Sequence, residues 1–391
     1  MLNIAFPHQG FLVQREVINA LKRLPDVQVF VIDIADFPSA KQAEQACGTL
    51  AEKKCSMIFT INEWGLDFDG IISHYIGKNA MIHINWCVDD PFFMEIIHGH
   101  AIKATPNRFD FVSNRAYVKP LRKRGLDAHF LALASDTSLF YPFPGPARYD
   151  RSLCFVGNSY RQQLDEFFAE HGAFMESLVE FLSELLKRYE NDARLDIEAE
   201  VAEKLASIHL PLSLPKPKAV FLVKHFISFL FRKRIICSLA QSYDDFMVFG
   251  DQWWLIDLPQ DKVSMAVGYH INLNETYQRT KINIDINRVV ITEGLTQRVF
   301  DCAASGSFVI TSSKPVIDEF FITAGKKQEA VVFDNEFHLK ELIDYFLKHE
   351  DERCAIAKRA RTRVLGEHTY DHRVQSIFRV LSQRMGTKGA M

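Results

Sequence analysis

The feature that most restricts how this chain can fold is a repeated unit: a short apolar run, a turn, a helical pattern, then another short apolar run. In the first third the runs are Leu2 to Phe6, Val27 to Ile34, Met57 to Ile61, Met81 to Trp86, Phe109 to Ser113 and Ala128 to Leu133. Between the first two, Val17, Ile18, Leu21 and Leu24 recur at helical spacing. Strands that are apolar along their whole length belong in a parallel sheet covered on both faces, because an open face would demand alternation with polar residues. This part therefore reads as a doubly wound α/β domain.

The segment Phe140-Tyr-Pro-Phe-Pro-Gly-Pro146 packs three prolines and a glycine into seven residues, the composition of a boundary. Beyond it the alternation resumes with Ser152 to Val156, breaks for a helical stretch over about 161–240, and returns with runs at Asp245 to Phe249, Lys281 to Ile286, Phe308 to Thr311 and Ala330 to Phe333. The expected organisation is an N-terminal domain over 1–142, a second domain over 150–370 carrying the helical insertion, and a C-terminal helix over 371–391. At 391 residues the chain exceeds what a single core usually supports, which agrees with two domains. Two such halves would face a cleft, with ligands beyond the carboxyl ends of the strands.

Charge and composition narrow the function classes. The net charge is -3 with both signs interspersed, so no basic field exists to neutralise phosphates, and no nucleic-acid partner is expected. Seven scattered cysteines without a CxxC pair read as reduced thiols of a cytoplasmic protein. The start MLNIAFPH lacks the pattern of a signal peptide, and no apolar run reaches the roughly 18 residues of a membrane span. The stretch AVFLVKHFISFLFRKR, Ala219 to Arg234, is apolar nearly all round and ends in three basic residues. It is either a buried core helix, the commoner fate of such a pattern, or a peripheral membrane or acceptor contact.

The chemistry concentrates in INIDINRVVITEGLTQRVFDCAASGSFVIT, Ile282 to Thr311. A strand runs into a loop and then a helix that opens near Glu293-Gly294, and a helix start offers backbone N–H groups and a positive dipole end to a diphosphate. At helical spacing Glu293, Gln297 and Asp301 share one face while Leu295, Val299 and Ala303 lie opposite, and Arg298 can pair with phosphate. The same spacing also suits an ordinary amphipathic helix with a solvated polar face.

The run Gly294-Leu-Thr-Gln-Arg-Val-Phe-Asp301, followed by Cys302-Ala-Ala-Ser-Gly306, resembles the donor domain of glycosyltransferases similar to spore maturation protein CgeB. Phe59-Thr-Ile-Asn-Glu63, Trp86-Cys-Val-Asp-Asp-Pro91, Leu131-Ala-Leu-Ala-Ser-Asp136 and His368-Thr-Tyr-Asp-His-Arg373 resemble the same family in the same order. The resemblance implies a GT-B fold, two Rossmann-like domains, and transfer of a sugar from a nucleotide-diphosphate donor to a protein or glycan acceptor. Glu293 and Asp301 match the Glu-x7-Glu spacing of retaining GT-B families, with aspartate in the place that meets the ribose. Gly157-Asn158 resembles the first turn of such donor domains. Asp251 and Trp253 fall where the nucleotide base would border them; Trp253 or Trp254 can stack on a base or fill an interface.

An acceptor hydroxyl needs a carboxylate or imidazole to take its proton. His8, Glu63, Asp89 and Asp90 follow strands of the first domain and are the candidates. The family pattern favours Asp89 and Asp90, although either can instead cap the helix after Pro91. Asp67-Phe-Asp69 has a DxD spacing without accompanying His or Cys, so no essential metal is expected, and no cofactor beyond a UDP-, GDP- or dTDP-sugar. A nucleotide-sugar epimerase and a non-catalytic sugar- or protein-binding module are the alternatives on the same fold.

Overall fold

The computed structural model describes residues 1–8, 10, 13–98, 102–145, 148–270 and 272–388. The chain forms two compact units, Met1–Ser135 with Glu367–Met391, and Asp136–Gly366.

In the first unit, β1 (Leu2–His8), α1 (Gln14–Lys22), β2 (Val27–Asp33), α2 (Ala40–Glu52), β3 (Met57–Ile61), α3 (Ile71–Lys78), β4 (Ile82–Cys87), α4 (Pro91–His98), β5 (Arg108–Val112), α5 (Val118–Lys123) and β6 (Ala128–Phe130) follow one another. The strands form a parallel sheet in the order β2-β1-β3-β4-β5-β6. The order reverses between β1 and β3, which makes the ends of those strands the switch point. One face is closed by α2 and α3, through Ala43, Leu50, Ile72 and Ile76. The other is closed by α1 and by the last helix, α14 (Tyr370–Lys388), whose Tyr370, Val374, Ile377 and Leu381 recur at helical spacing and are buried against Phe6, Phe59 and Trp86.

The unit boundaries differ from those expected. Helix α14 is part of the first unit's core, because Arg373 donates to the carbonyls of Ala132 (2.7 Å) and Leu133 (2.9 Å) and Ser135 pairs with Thr369. The His368–Arg373 passage thus fastens the end of the chain to the first sheet. Residues 136–143 belong to the second unit: Phe140 is buried 5.4 Å from the Tyr269 ring, and the Tyr141 carbonyl accepts from Asn274 and Gln278. The proline-rich segment is therefore anchored rather than spanning free, with Pro146 outside the described residues, as are 389–391.

The second unit begins with β7 (Arg151–Val156) and then the four helices of the insertion, α6 (Arg161–Glu176), α7 (Val179–Asn191), α8 (Ile197–Ala206) and α9 (Lys216–Ser242). It continues with β8 (Phe246–Gly250), β9 (Val263–Met265), α10 (Leu273–Gln278), β10 (Thr280–Asp285), α11 (Gln297–Ala304), β11 (Val309–Ser312), β12 (Val331–Phe333), α12 (Glu336–Lys348) and α13 (Glu350–Glu367). The parallel order β12-β11-β10-β7-β8-β9 reverses between β7 and β10. Strand β9 was not foreseen, since three residues at a sheet edge carry no periodicity.

Helix α9 places much of the phenylalanine-rich stretch in the core. Ala219, Val223, Ile227, Phe231, Ile235, Ile236 and Leu239 are buried in the second unit's core with Leu182, Leu185 and Val201 of the insertion. The apolar residues of 219–234 are buried or half-buried and none is exposed, which fits the core reading of this stretch. Among the described residues no helix is long and apolar enough to cross a membrane.

Candidate active site

The second unit's site grows from one buried carboxylate. Asp285 ends β10 at 1% exposure, where an isolated charge would be costly, and it is satisfied by the hydroxyls of Thr296 (3.1 Å) and Thr311 (2.9 Å) and by the Arg298 Nε (2.8 Å). Arg298 also donates to the Val156 carbonyl at 3.1 Å. Burial works against the Arg298 charge, but the Asp285 carboxylate more than offsets it and raises the guanidinium above its ordinary pKa. Asn287 completes the framework by donating to Thr311 and accepting from the Thr296 backbone N–H. The 286–296 loop is thus fixed to the ends of β10 and β11.

Three more cations surround this framework. Arg232 of α9 is buried and donates to the carbonyls of Asn158 (2.9 Å) and Ile286 (3.2 Å), tying together the loops after β7 and β10 at the switch point. Its burial pushes its pKa down to about 10, helped by Arg298 and Arg288 nearby. The Arg288 guanidinium lies 5.1 Å from the Tyr160 ring centre, and Arg232 lies 5.3 Å from the same ring. Lys314, after β11, is buried with its ammonium on the Tyr189 hydroxyl at 2.9 Å, and burial lowers its pKa to about 7. The guanidinium groups of Arg298, Arg232 and Arg288, with the partly charged Lys314, make this edge electropositive, which suits an anionic ligand.

The structure relocates several expected residues. Helix α11 starts at Gln297, not near Glu293, because Thr296 is held extended by its bonds to Asp285 and Asn287. Glu293 and Gly294 therefore lie in the loop, Glu293 exposed and Gly294 buried, and only Gln297 and Asp301 share a helical face. Asp301 is wholly buried and accepts from the Tyr269 hydroxyl at 3.0 Å. Gly157 leaves space that Arg298 and Phe155 occupy, since a Cβ there would meet the Arg298 Nη1 at 2.9 Å. Asn158 is exposed, with its carbonyl held by Arg232. Asp251 clasps the adjoining loop by accepting from the Ser159 backbone (2.8 Å) and hydroxyl (2.7 Å) and from the Trp253 backbone. Trp254 is buried with its indole on the Gly157 carbonyl, whereas Trp253 stays half-exposed.

In the first unit the four candidates separate. Glu63 is buried and paired with Arg108 at 2.6 Å, and Arg108 also grips Asp110 at 2.7 Å. His83 joins the same buried layer through Thr60, and burial together with Arg108 lowers its pKa to about 4. Asp90 caps α4, accepting from the Phe92 N–H at 2.9 Å. Asp89 is exposed and aimed by the Asn62 amide at 2.8 Å. His8 ends β1, half-buried. Asp67 of the DxD spacing is taken up by the first N–H groups of α3 (2.7 and 2.8 Å).

Residues 232–379, which contain most of the second unit's site, match the family described as Glycosyl transferase-like. The whole chain is similar to the Anabaena protein Alr3699/HepE solved with UDP-glucose, at 9% identity and a TM-score of 0.57, covering 98% of this chain and 100% of the other. HepE solved with UDP and glucose gives 10% identity and 0.56, covering 98% and 99%. A glycosyltransferase from Rickettsia africae gives 10% and 0.51, covering 98% of both chains. The chain has the GT-B fold, and residues 232–379 carry the match to the glycosyltransferase-like family. No curated protein matches its sequence.

Within this GT-B protein, the residues that sequence reasoning missed are Asp285, Asn287, Arg232, Arg288 and Lys314. Asp285 carried a signal, a lone acid in the otherwise apolar IDI of a central strand, which only an internal partner could satisfy. Arg232 carried none, because it lies about fifty residues before β10 and reaches it only through the fold.

Proposed function

We propose that the second unit binds a nucleotide-diphosphate sugar at the carboxyl edge between β7 and β10, and that the protein transfers the sugar to an acceptor hydroxyl. The observation that carries this reading is the cluster of Arg232, Arg288, Arg298 and Lys314 around Asp285 within the glycosyltransferase-like segment. Cations placed before the reaction stabilise the charge that develops on a departing diphosphate without reorganisation. Arg288 and the outer edge of Arg298 are the diphosphate contacts, Trp253 borders the base, Glu293 meets the sugar, and Asp301 acts through Tyr269. Gly157, Asn158, Gly294 and Asp251 shape the loops around them. HepE's complexes make UDP-glucose the first donor to try.

For the acceptor side, Asp89 is the proposed base, since it is exposed and held by Asn62, while Asp90 and Glu63 serve the fold and His8 is the second candidate. The CgeB-like assignment is the finer reading, supported by the Gly294–Asp301 and His368–Arg373 passages. The test is thermal stabilisation by UDP-, GDP- and dTDP-sugars, followed by donor consumption with and without acceptor. Stabilisation by one nucleotide class and acceptor-dependent consumption are expected. Turnover without acceptor would point to an epimerase, and binding without turnover to a non-catalytic module. No stabilisation by any donor would overturn the proposal.

A further inference from the structure

The loops at the carboxyl edge of the first unit's sheet bring three aromatic rings together from two places in the chain. Phe37 lies in the 34–39 loop between β2 and α2, and Trp64 and Phe68 lie in the 62–70 loop between β3 and α3. The Phe37 ring stacks on Phe68 with centroids 4.8 Å apart at 12°, and stands 5.1 Å from Trp64 at 56°. Phe68 is 52% exposed, while Phe37 and Trp64 are half-buried. A single exposed phenylalanine is unremarkable, but a stack that two loops hold partly in water is surface kept out of the core.

The platform is rigid. Gly65 donates its N–H to the Asp36 carbonyl at 3.2 Å, which joins the two loops. Asp67 locks the second loop to the start of α3, and Asn62 and Glu63 occupy left-handed backbone conformations with φ of 54° and 59°. Such conformations persist where surroundings impose them, and here the Asn62 contact with Asp89 and the Glu63 pair with Arg108 do so. The two loops contain four acidic residues, Asp36, Glu63, Asp67 and Asp69, and no lysine or arginine. Glu63 is paired with Arg108 and Asp67 is held by the start of α3, so Asp36 and Asp69 supply the charge that disfavours an anionic ligand.

We infer that Phe37, Trp64 and Phe68 form a platform for a neutral oligosaccharide, the acceptor of the transfer. The inference rests on the glycosyltransferase reading above. A pyranose presents a face of C–H groups whose slight positive charge matches the negative face of an aromatic ring, and a rim of hydroxyls that donate to carboxylates. The rings supply the first requirement and the carboxylates of Asp36 and Asp69 the second. This division, aromatic walls with a few polar groups, is that of small-molecule sites generally.

The test uses the full chain and its Phe68→Ala and Phe68→Trp variants on an array of neutral oligosaccharides, sialylated oligosaccharides and unglycosylated peptides. The same preparations are titrated with UDP, GDP and dTDP. Wild type and Phe68→Trp are expected to hold neutral oligosaccharides, and Phe68→Ala to bind them roughly two- to tenfold more weakly, with nucleotide affinity unchanged. Equal glycan binding by Phe68→Ala overturns the platform. So does a wild type that binds a nucleotide yet holds only sialylated glycans, only peptides, or nothing on the array. A wild type that holds neutral glycans but no nucleotide leaves the platform standing and removes the donor reading instead.

Discussion

At the carboxyl edge of the second unit's sheet, three arginines and a partly charged lysine gather near one buried carboxylate; in the first unit, two buried carboxylates share one cation and the loops beside them carry further acids. Asp285 pairs with Arg298 and lies within electrostatic reach of Arg232 and Lys314, with Arg288 beside Arg232, whereas Arg108 is shared by Glu63 and Asp110. Both sheets are six-stranded, parallel and reversed in order beside their first strand. The backbone is thus common and the charge is opposite. What each edge can bind is decided by side chains that the topology permits but does not specify.

The largest expected effect breaks the first unit alone. Arg108→Met leaves Glu63 and Asp110 buried without their cation, which costs roughly 3–5 kcal/mol. Hydrogen exchange should show β3, β4 and β5 losing protection while nucleotide affinity persists; equal loss of protection in both units would erase the distinction. Next, Arg288→Gln should weaken UDP binding by about tenfold or more, as removal of one charge-assisted hydrogen bond of roughly 1.5–3 kcal/mol requires. Calorimetry at two salt concentrations checks it, because the wild-type advantage must shrink as salt rises.

The two units should also respond to pH in different windows. His83 has its folded pKa lowered by burial from 6.5 to about 4, so the unfolded chain binds the extra proton between those values and stability falls as pH drops through them. Lys314 has its pKa lowered by burial from 10.5 to about 7, so stability rises with pH across that higher interval. Urea denaturation across pH should show His83→Gln flattening the lower window and Lys314→Met the upper. Interchanged windows would refute the assignment. The smallest effect is expected from Trp253→Ala, about 0.5–1.5 kcal/mol of lost stacking, seen as weaker binding of UDP with pyrophosphate binding unaltered.

Much of the fold was legible because it rests on local pattern. Strand β3 lies at the residues expected, and β4, β5, β8, β10 and β11 fall within one residue of expectation. The insertion was legible as well, since helical spacing survives without knowledge of partners. The boundaries were less so. Phe140 and Tyr141 look like linker residues until Tyr269, Asn274 and Gln278 are seen to hold them. The site was legible only as a segment: Gly294 to Asp301 marked the region, yet the helix began four residues later than Glu293 and Asp301 was buried under Tyr269.

The sequence by itself determined two doubly wound sheets and a helical insertion, and it marked Gly294 to Asp301 as the stretch resembling a donor site, because periodicity, turn residues and family pattern are written in neighbouring positions. Only the tertiary structure decided which cations reach Asp285, that Arg232 joins the loops after β7 and β10, that α14 closes the first sheet, and that Phe37 stacks on Phe68. Each of these joins residues distant in sequence. Their pairing is set by the close packing of whole elements, which no local pattern records.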